Sequence, residues 1–298
     1  MKSRAMVLVS VLISFGLTSL AQNGQTKNVS PAFKKGKEPA GIEVHGQIIT
    51  NGPARLSVIV RGKGETVIVL PSLGRSVRDF DQISERLAAE NFRVVLPEPR
   101  GIGQSTGPTE KLTLHELADD IATIIKAISK DPVTIVGHAF GNRLARVVAT
   151  DHPELVKGVV LVAAGGLQPI RPEIRQALEN CFNDQLPREQ RLAAIKRAFF
   201  ADGNDPGVWE NGWYKDVAQY QTAANAATPV REWWAAGKAK VLVLQGVQDA
   251  VAVRENADSL AKEFGSRIKV IDVPKAGHAL LPEQPDFIAK SIVDFLRD

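Results

Sequence analysis

Three short stretches of this chain carry residue types that can do chemistry together. The run Val133-Thr-Ile-Val-Gly137-His138-Ala139-Phe140-Gly141-Asn142-Arg143 reads as a β-branched strand, a glycine-flanked turn and the start of a helix. That is the context of the G-x-S-x-G nucleophile elbow, with Ala139 in the serine slot. A methyl group cannot attack a carbonyl, so Ala139 removes covalent acyl-serine chemistry at that position. Asp249 follows an apolar run in Gln245-Gly-Val-Gln-Asp249-Ala, and His278 follows another in Ala276-Gly-His278-Ala-Leu-Leu-Pro-Glu. An acid that orients a histidine and stabilises its charged form leaves a general base. Phe140 opens the helix after the elbow, and a helix N-terminus favours an anion.

The elements that must position these groups alternate in type. Ile42-Glu-Val-His-Gly-Gln-Ile-Ile and Leu56-Ser-Val-Ile-Val predict two antiparallel edge strands. Thr66–Leu70 is a continuous apolar run ended by Pro71, as a buried parallel strand should be. The spacing predicts a helix over 77–91, a strand over 93–96 and a helix over 112–129. Strand 133–136, the elbow helix to Thr150 and strand 158–162 follow. Residues 167–236 then contain no convincing strand, but helical pieces at 172–180, 188–200 and 216–227. All four tryptophans and both tyrosines lie in that stretch. Strands at 240–244 and 268–273 resume the series, with helices at 254–264 and about 284–296. A strand-helix series means an α/β class: a mostly parallel central sheet of about eight strands, flanked by helices. The helical insert after the sixth strand reads as a cap over the strand ends, where ligands bind.

The ends and the composition bound the rest. Lys2 and Arg4 precede an apolar run, and Ser19-Leu20-Ala21 offers a cut ahead of Gln22. Residues 1–21 thus read as a secretory signal peptide cleaved near Ala21-Gln22, which implies a periplasmic or secreted protein with no stable membrane anchor after cleavage. Residues 22–40 are polar, aperiodic and read as a flexible leader. The core then spans 41–166 and 237–298, with the cap at 167–236. Removing residues 1–21 leaves 35 basic against 33 acidic residues, a balance that makes no case for nucleic acid as partner. Cys181 is the one cysteine, so the fold rests on its apolar core, and Cys181 itself reads as a buried hydrophobe. No metal-ligand spacing and no nucleotide loop occur, so no cofactor is expected.

Taken together, these segments resemble the α/β-hydrolase family of the lipase, esterase and epoxide-hydrolase type, from about residue 41 to the C-terminus. The chain order elbow, acid, histidine is that family's order. Pro97-Glu98-Pro-Arg100-Gly-Ile-Gly103-Gln-Ser105 is similar to its Asp-x-Arg-Gly-x-Gly-x-Ser loop, with Glu98 for Asp. Gly277-His278 followed by Glu283-Gln-Pro285 is similar to its histidine loop. Two departures stand out. One is Ala139; the other is Pro71-Ser72-Leu73-Gly74-Arg75 where the family usually has His-Gly. The resemblance implies an oxyanion hole made by the N–H groups of Leu73 and Phe140, neither of which depends on a hydroxyl at 139.

Four chemical routes remain open with this constellation. His278 could activate a water beside Ala139, or abstract a proton from the substrate as lyases and cofactor-free oxygenases on this fold do. Ser72 could substitute as nucleophile, although a serine there more simply bonds its own turn. The site could also bind a small-molecule ligand, possibly apolar, without turnover. Arg75 and His138 are further candidates to touch substrate. Arg143 reads as a packing or pairing residue and Arg100 as a loop brace. The Trp and Tyr cluster suits either a pocket lining or the cap's own core.

Overall fold

A computed structural model describes residues 43–298 of the chain. The expected signal peptide and leader, and Ile42 of the first expected strand, lie outside the described residues. The strands are β1 (Val44–Asn51), β2 (Ala54–Arg61), β3 (Glu65–Leu70), β4 (Phe92–Pro97), β5 (Val133–His138), β6 (Val156–Val162), β7 (Lys240–Gly246) and β8 (Ile268–Val273). They form one eight-stranded sheet in the order β1-β2-β4-β3-β5-β6-β7-β8. The pairings from β4 through β8 are parallel, while β1 and β2 are antiparallel to their neighbours. Only one of the two expected edge strands is at an edge. β2 pairs with β1 on one side and with β4 on the other, from Val58 opposite Pro97 to Arg61 opposite Val94. The physical reason is visible in Val58-Ile59-Val60, all buried, which covers both faces of the strand and suits an interior place.

Helices cover both faces of the sheet. Along β3, Ile68 and Leu70 join one apolar cluster, and Val67 and Val69 join the other, as the two-residue side-chain period requires. The first cluster receives α2 (Leu114–Ile128) and α3 (Phe140–Asp151). The second receives α1 (Asp81–Ala89) and the C-terminal pair α8 (Leu280–Glu283) and α9 (Pro285–Arg297). The helix expected over 77–91 divides into a 3₁₀ turn, Val77–Phe80, followed by α1, and Asn91 ends it at φ 66°. α2 begins at Leu114, two residues inside the start expected at 112, because Thr113 caps it. Thr113 and Glu116 form a capping box: the Thr113 hydroxyl accepts from His115 N at 3.2 Å, and Thr113 N donates to Glu116 at 2.8 Å.

The insert between β6 and β7 holds α4 (Pro172–Cys181), α5 (Arg188–Phe199) and α6 (Lys215–Ala227), with no strand among them. α7 (Glu255–Phe264) follows β7. Cys181 is fully buried in the insert's own apolar cluster, its S–H donating to Ala177 O at 3.1 Å. Burial pushes its thiol up to about 12, which leaves it inert as a nucleophile. Arg100 is indeed a brace. Its Nε and Nη2 grip Asp120 at 2.8 and 2.9 Å, and Nη1 donates to Pro108 O at 2.6 Å. Asn51 donates to the same carboxylate at 2.9 Å, so one buried ion pair ties β1, the loop after β4 and α2 together.

Candidate active site

Parallel strands that end on one side of a sheet bring their following loops together. β3 delivers Ser72 and Leu73, β5 delivers Ala139, β7 delivers Asp249 and β8 delivers His278 to that one edge. The acid and the histidine are in contact. His278 Nδ1 lies 2.9 Å from Asp249 Oδ2 and 3.1 Å from Oδ1. Asp249 Oδ1 also accepts from the N–H groups of Val251 and Ala252, both at 2.8 Å. The Asp249 side chain is 0% exposed, so its charge is held by these donors and not by solvent. With Nδ1–H turned to the carboxylate, the other ring nitrogen is the basic one. Nε2 makes no hydrogen bond to any described residue.

The elbow keeps the shape of one that carries a nucleophile. Ala139 has φ 50° and ψ −106°, a region that side-chain-bearing residues avoid at a cost of about 1–3 kcal/mol. Its N–H donates to Val162 O at 3.0 Å, and Ala139 is half-buried between the buried His138 and Phe140. The flanking glycines are there because backbone fills the space. A Cβ on Gly137 would stand 2.3 Å from Gly141 O, and one on Gly141 would stand 2.2 Å from Leu70 O. The turn is therefore pressed against the end of β3, where the Leu73 loop starts. Neither Leu73 N nor Phe140 N donates to another described group. Both remain available to an anion, and Phe140 N is the first donor of a twelve-residue helix.

Two candidates for substrate contact are placed elsewhere by the structure. Arg75 is 3% exposed and fully engaged. It holds Asp79 through Nε at 2.8 Å and Nη2 at 2.7 Å, and it donates from Nη1 to Asn211 O at 2.9 Å. Its guanidinium also sits 4.5 Å from the ring centres of both Trp209 and Trp213. It clasps the cap to the loop after β3 and is not free for a carboxylate. His138 is 0% exposed and donates through Nε2 to His278 O at 2.7 Å. It props the backbone of the histidine loop from below. Ser72 is buried too, and the turn bond expected of its hydroxyl is not formed; the turn closes through Arg75 N and Ser72 O at 3.2 Å.

His138 also couples the site to acid. Burial, helped by the nearby positive ends of His278 and Arg75, lowers its pKa from 6.5 to about 3. The unfolded chain thus takes up a proton that the folded chain refuses. The stability involved is present above pH 6.5 and is lost as pH falls from 6.5 toward 3, by up to several kcal/mol. In His138→Asn, urea midpoints measured between pH 7 and 4 should therefore fall less steeply than in the parent. Equal slopes would remove His138 from the account.

The cap bears directly on the oxyanion loop, which the sequence did not reveal. Gly74 N donates to Gln221 Oε1 at 2.8 Å, and Gly74 O accepts from Tyr214 N at 2.9 Å. Gln221 is a mid-helix polar residue of α6, and nothing in its spacing singles it out. On the other side, Glu283 accepts from Gly277 N and Ala201 N, both at 2.7 Å, and so ties the histidine loop to the cap. The tryptophans divide into two groups. Trp209 and Trp213 pack with Phe199 against His138 and His278, while Trp233 and Trp234 lie against α3. A cavity of about 40 Å³ opens beyond Phe140, lined by Leu70, Pro71, Tyr220 and Gln221 among others. Ala139 and His278 do not line it.

Known proteins share this fold. A model of the alpha/beta hydrolase fold matches residues 65–193, and a model described as TAP-like protein matches residues 206–298. The chain is 25% identical over 266 residues to 2-(acetamidomethylene)succinate hydrolase of Mesorhizobium japonicum, covering 82% of this chain and 92% of that one. A crystal structure of E-2-(acetamidomethylene)succinate hydrolase superposes with a TM-score of 0.68 at 21% identity, covering 86% of this chain and 100% of the other. An esterase from Exiguobacterium antarcticum gives 0.71 at 19% identity, covering 85% and 100%. With both halves of its core matched and its eight-stranded sheet in place, the chain belongs to the α/β-hydrolase fold family.

Proposed function

We propose that this protein is an exported small-molecule hydrolase that works without a serine nucleophile. The observation that carries the reading is the Asp249–His278 pair, buried, hydrogen-bonded and aimed from the same sheet edge as the elbow. His278 Nε2 takes a proton from a water seated beside the Ala139 methyl. The resulting hydroxide attacks the acyl carbon, and the N–H groups of Leu73 and Phe140 hold the oxyanion. Collapse expels the alcohol or amine, which regains the proton from His278. The strained turn at Ala139 supports the reading, because strain is retained where a site needs the shape. Relatives that are hydrolases support the reaction class. Export rests on the pattern of residues 1–21.

Triad enzymes that lose a member still work roughly 10³–10⁴-fold above water, and a comparable slow rate is expected here. The test is p-nitrophenyl acetate hydrolysis by the purified protein against His278→Ala. The variant should be slower by the roughly 10²-fold or more that a general base contributes, while the rate owed to the oxyanion donors remains. Equal rates in the two proteins would end the dyad's claim to a catalytic role. Peptide mapping of the mature N-terminus checks export; a retained residue 1–21 segment speaks against cleavage.

A further inference from the structure

Most cations of the described chain have partners, and two arginines on α3 stand apart. Arg143 is half-buried and makes no hydrogen bond or ion pair with any described residue. One turn later, Arg146 is 0% exposed and is met only by neutral acceptors. Its Nη2 donates to Asn142 Oδ1 at 2.6 Å and Gly165 O at 2.7 Å, and its Nη1 is buried with no partner. Both guanidiniums lie over Trp233, at 5.9 and 4.5 Å from the ring centre. Two like charges thus stand near one indole ring with no carboxylate paired to either among the described residues. Burial lowers both guanidiniums, and Arg143 lowers Arg146 further. An arrangement of that kind costs stability unless something anionic completes it.

Its place in the fold says what would complete it. Helix side chains lean toward the N-terminus, so Arg143 leans toward the Ala139 end of α3. Its Nη2 lies 3.8 Å from where a Cβ of Gly165 would stand, and the Ala252 methyl lies at the same distance from that point. Ala252 N is one of the two donors to Asp249. The guanidinium and the Ala252 methyl of the acid loop therefore flank the same point beside Gly165. Gly165 leaves room there that any side chain would narrow. A planar guanidinium with a full set of free N–H groups matches a carboxylate two bonds at a time.

We propose that Arg143 is a specificity residue that binds a carboxylate carried by the substrate, next to the reacting carbonyl. This deepens the hydrolytic reading and rests on it for the neighbouring chemistry. Two measurements separate the claims. The first needs no turnover: calorimetric titration of the full chain with succinate and with its neutral analogue succinamide. Succinate should bind at least about 10-fold more tightly, Arg143→Gln should abolish that preference, and Arg143→Lys should keep part of it. The second compares mono-p-nitrophenyl succinate with p-nitrophenyl acetate in Ala139→Ser. Replacing Arg143 by Gln in that background should lower the ratio of their kcat/KM values about 10-fold or more. Succinate preference with no ester turnover would keep the subsite and sink the hydrolytic reading. Turnover with an unchanged ratio, or succinate and succinamide binding alike, overturns the subsite.

Discussion

Ala139→Ser should convert this protein into a fast serine esterase. The expected gain on p-nitrophenyl acetate is roughly 10³-fold or more, since a complete triad contributes about 10⁶ over its absence and the remaining parts are retained. The argument is geometric. The residue at 139 already has the φ and ψ of an elbow, its neighbours Gly137 and Gly141 already permit the close turn, and Asp249 already holds His278. A serine added there need not reorganise the backbone. Stopped-flow release of p-nitrophenol should show an initial burst as the acyl-enzyme accumulates, and a serine-reactive phosphonate should label residue 139. His278→Ala in the same background should remove the gain. An Ala139→Ser protein that folds normally and shows neither burst nor labelling would mean that dyad, elbow and oxyanion donors are not aligned for attack.

The second large effect concerns folding. Removing Asp120 should cost about 3–5 kcal/mol, because Arg100 would be left as a buried, uncompensated charge. Asp120 also receives Asn51, so the same change loosens the β1 end of the sheet. For a chain of this size the loss corresponds to roughly 6–20 °C in Tm. Asp120→Ala measured by calorimetry against the parent tests it. The informative control is the double replacement Arg100→Met with Asp120→Leu, which removes both charges and should recover most of the loss. A single variant that melts within about 2 °C of the parent would show that solvent reaches Arg100 after all.

Much of this was legible in the chain itself, and the reasons are specific. Gly137-His-Ala-Phe-Gly141 announces a tight strand-to-helix turn because only glycine tolerates those backbone contacts. Asp249 and His278 could be paired because each follows an apolar run that had to be a parallel strand, and parallel strands share their ends. What stayed hidden depends on parts distant in sequence. Arg75 sits in the oxyanion loop, but its environment is set by Asp79, Trp209 and Trp213. His138 stood next to the elbow as a candidate to touch substrate, and only the fold buries it under the histidine loop. The bond from Gln221 to Gly74 spans 147 residues, and no local period could carry it. The interior place of β2 follows from which strand turns up beside it, which spacing alone does not encode.

The bent backbone at Ala139 has a meaning in genetic terms. Every alanine codon becomes a serine codon by replacing its first base, G, with T. The costly part of a serine hydrolase is the scaffold: the pressed glycines, the left-handed turn, the gripped acid and the cap bonded to the oxyanion loop. All of it is present around a side chain that differs by one oxygen. If Ala139→Ser gives the expected burst, covalent catalysis in this lineage lies one point mutation away, and a laboratory population grown under selection for ester hydrolysis should reach it by that single base change.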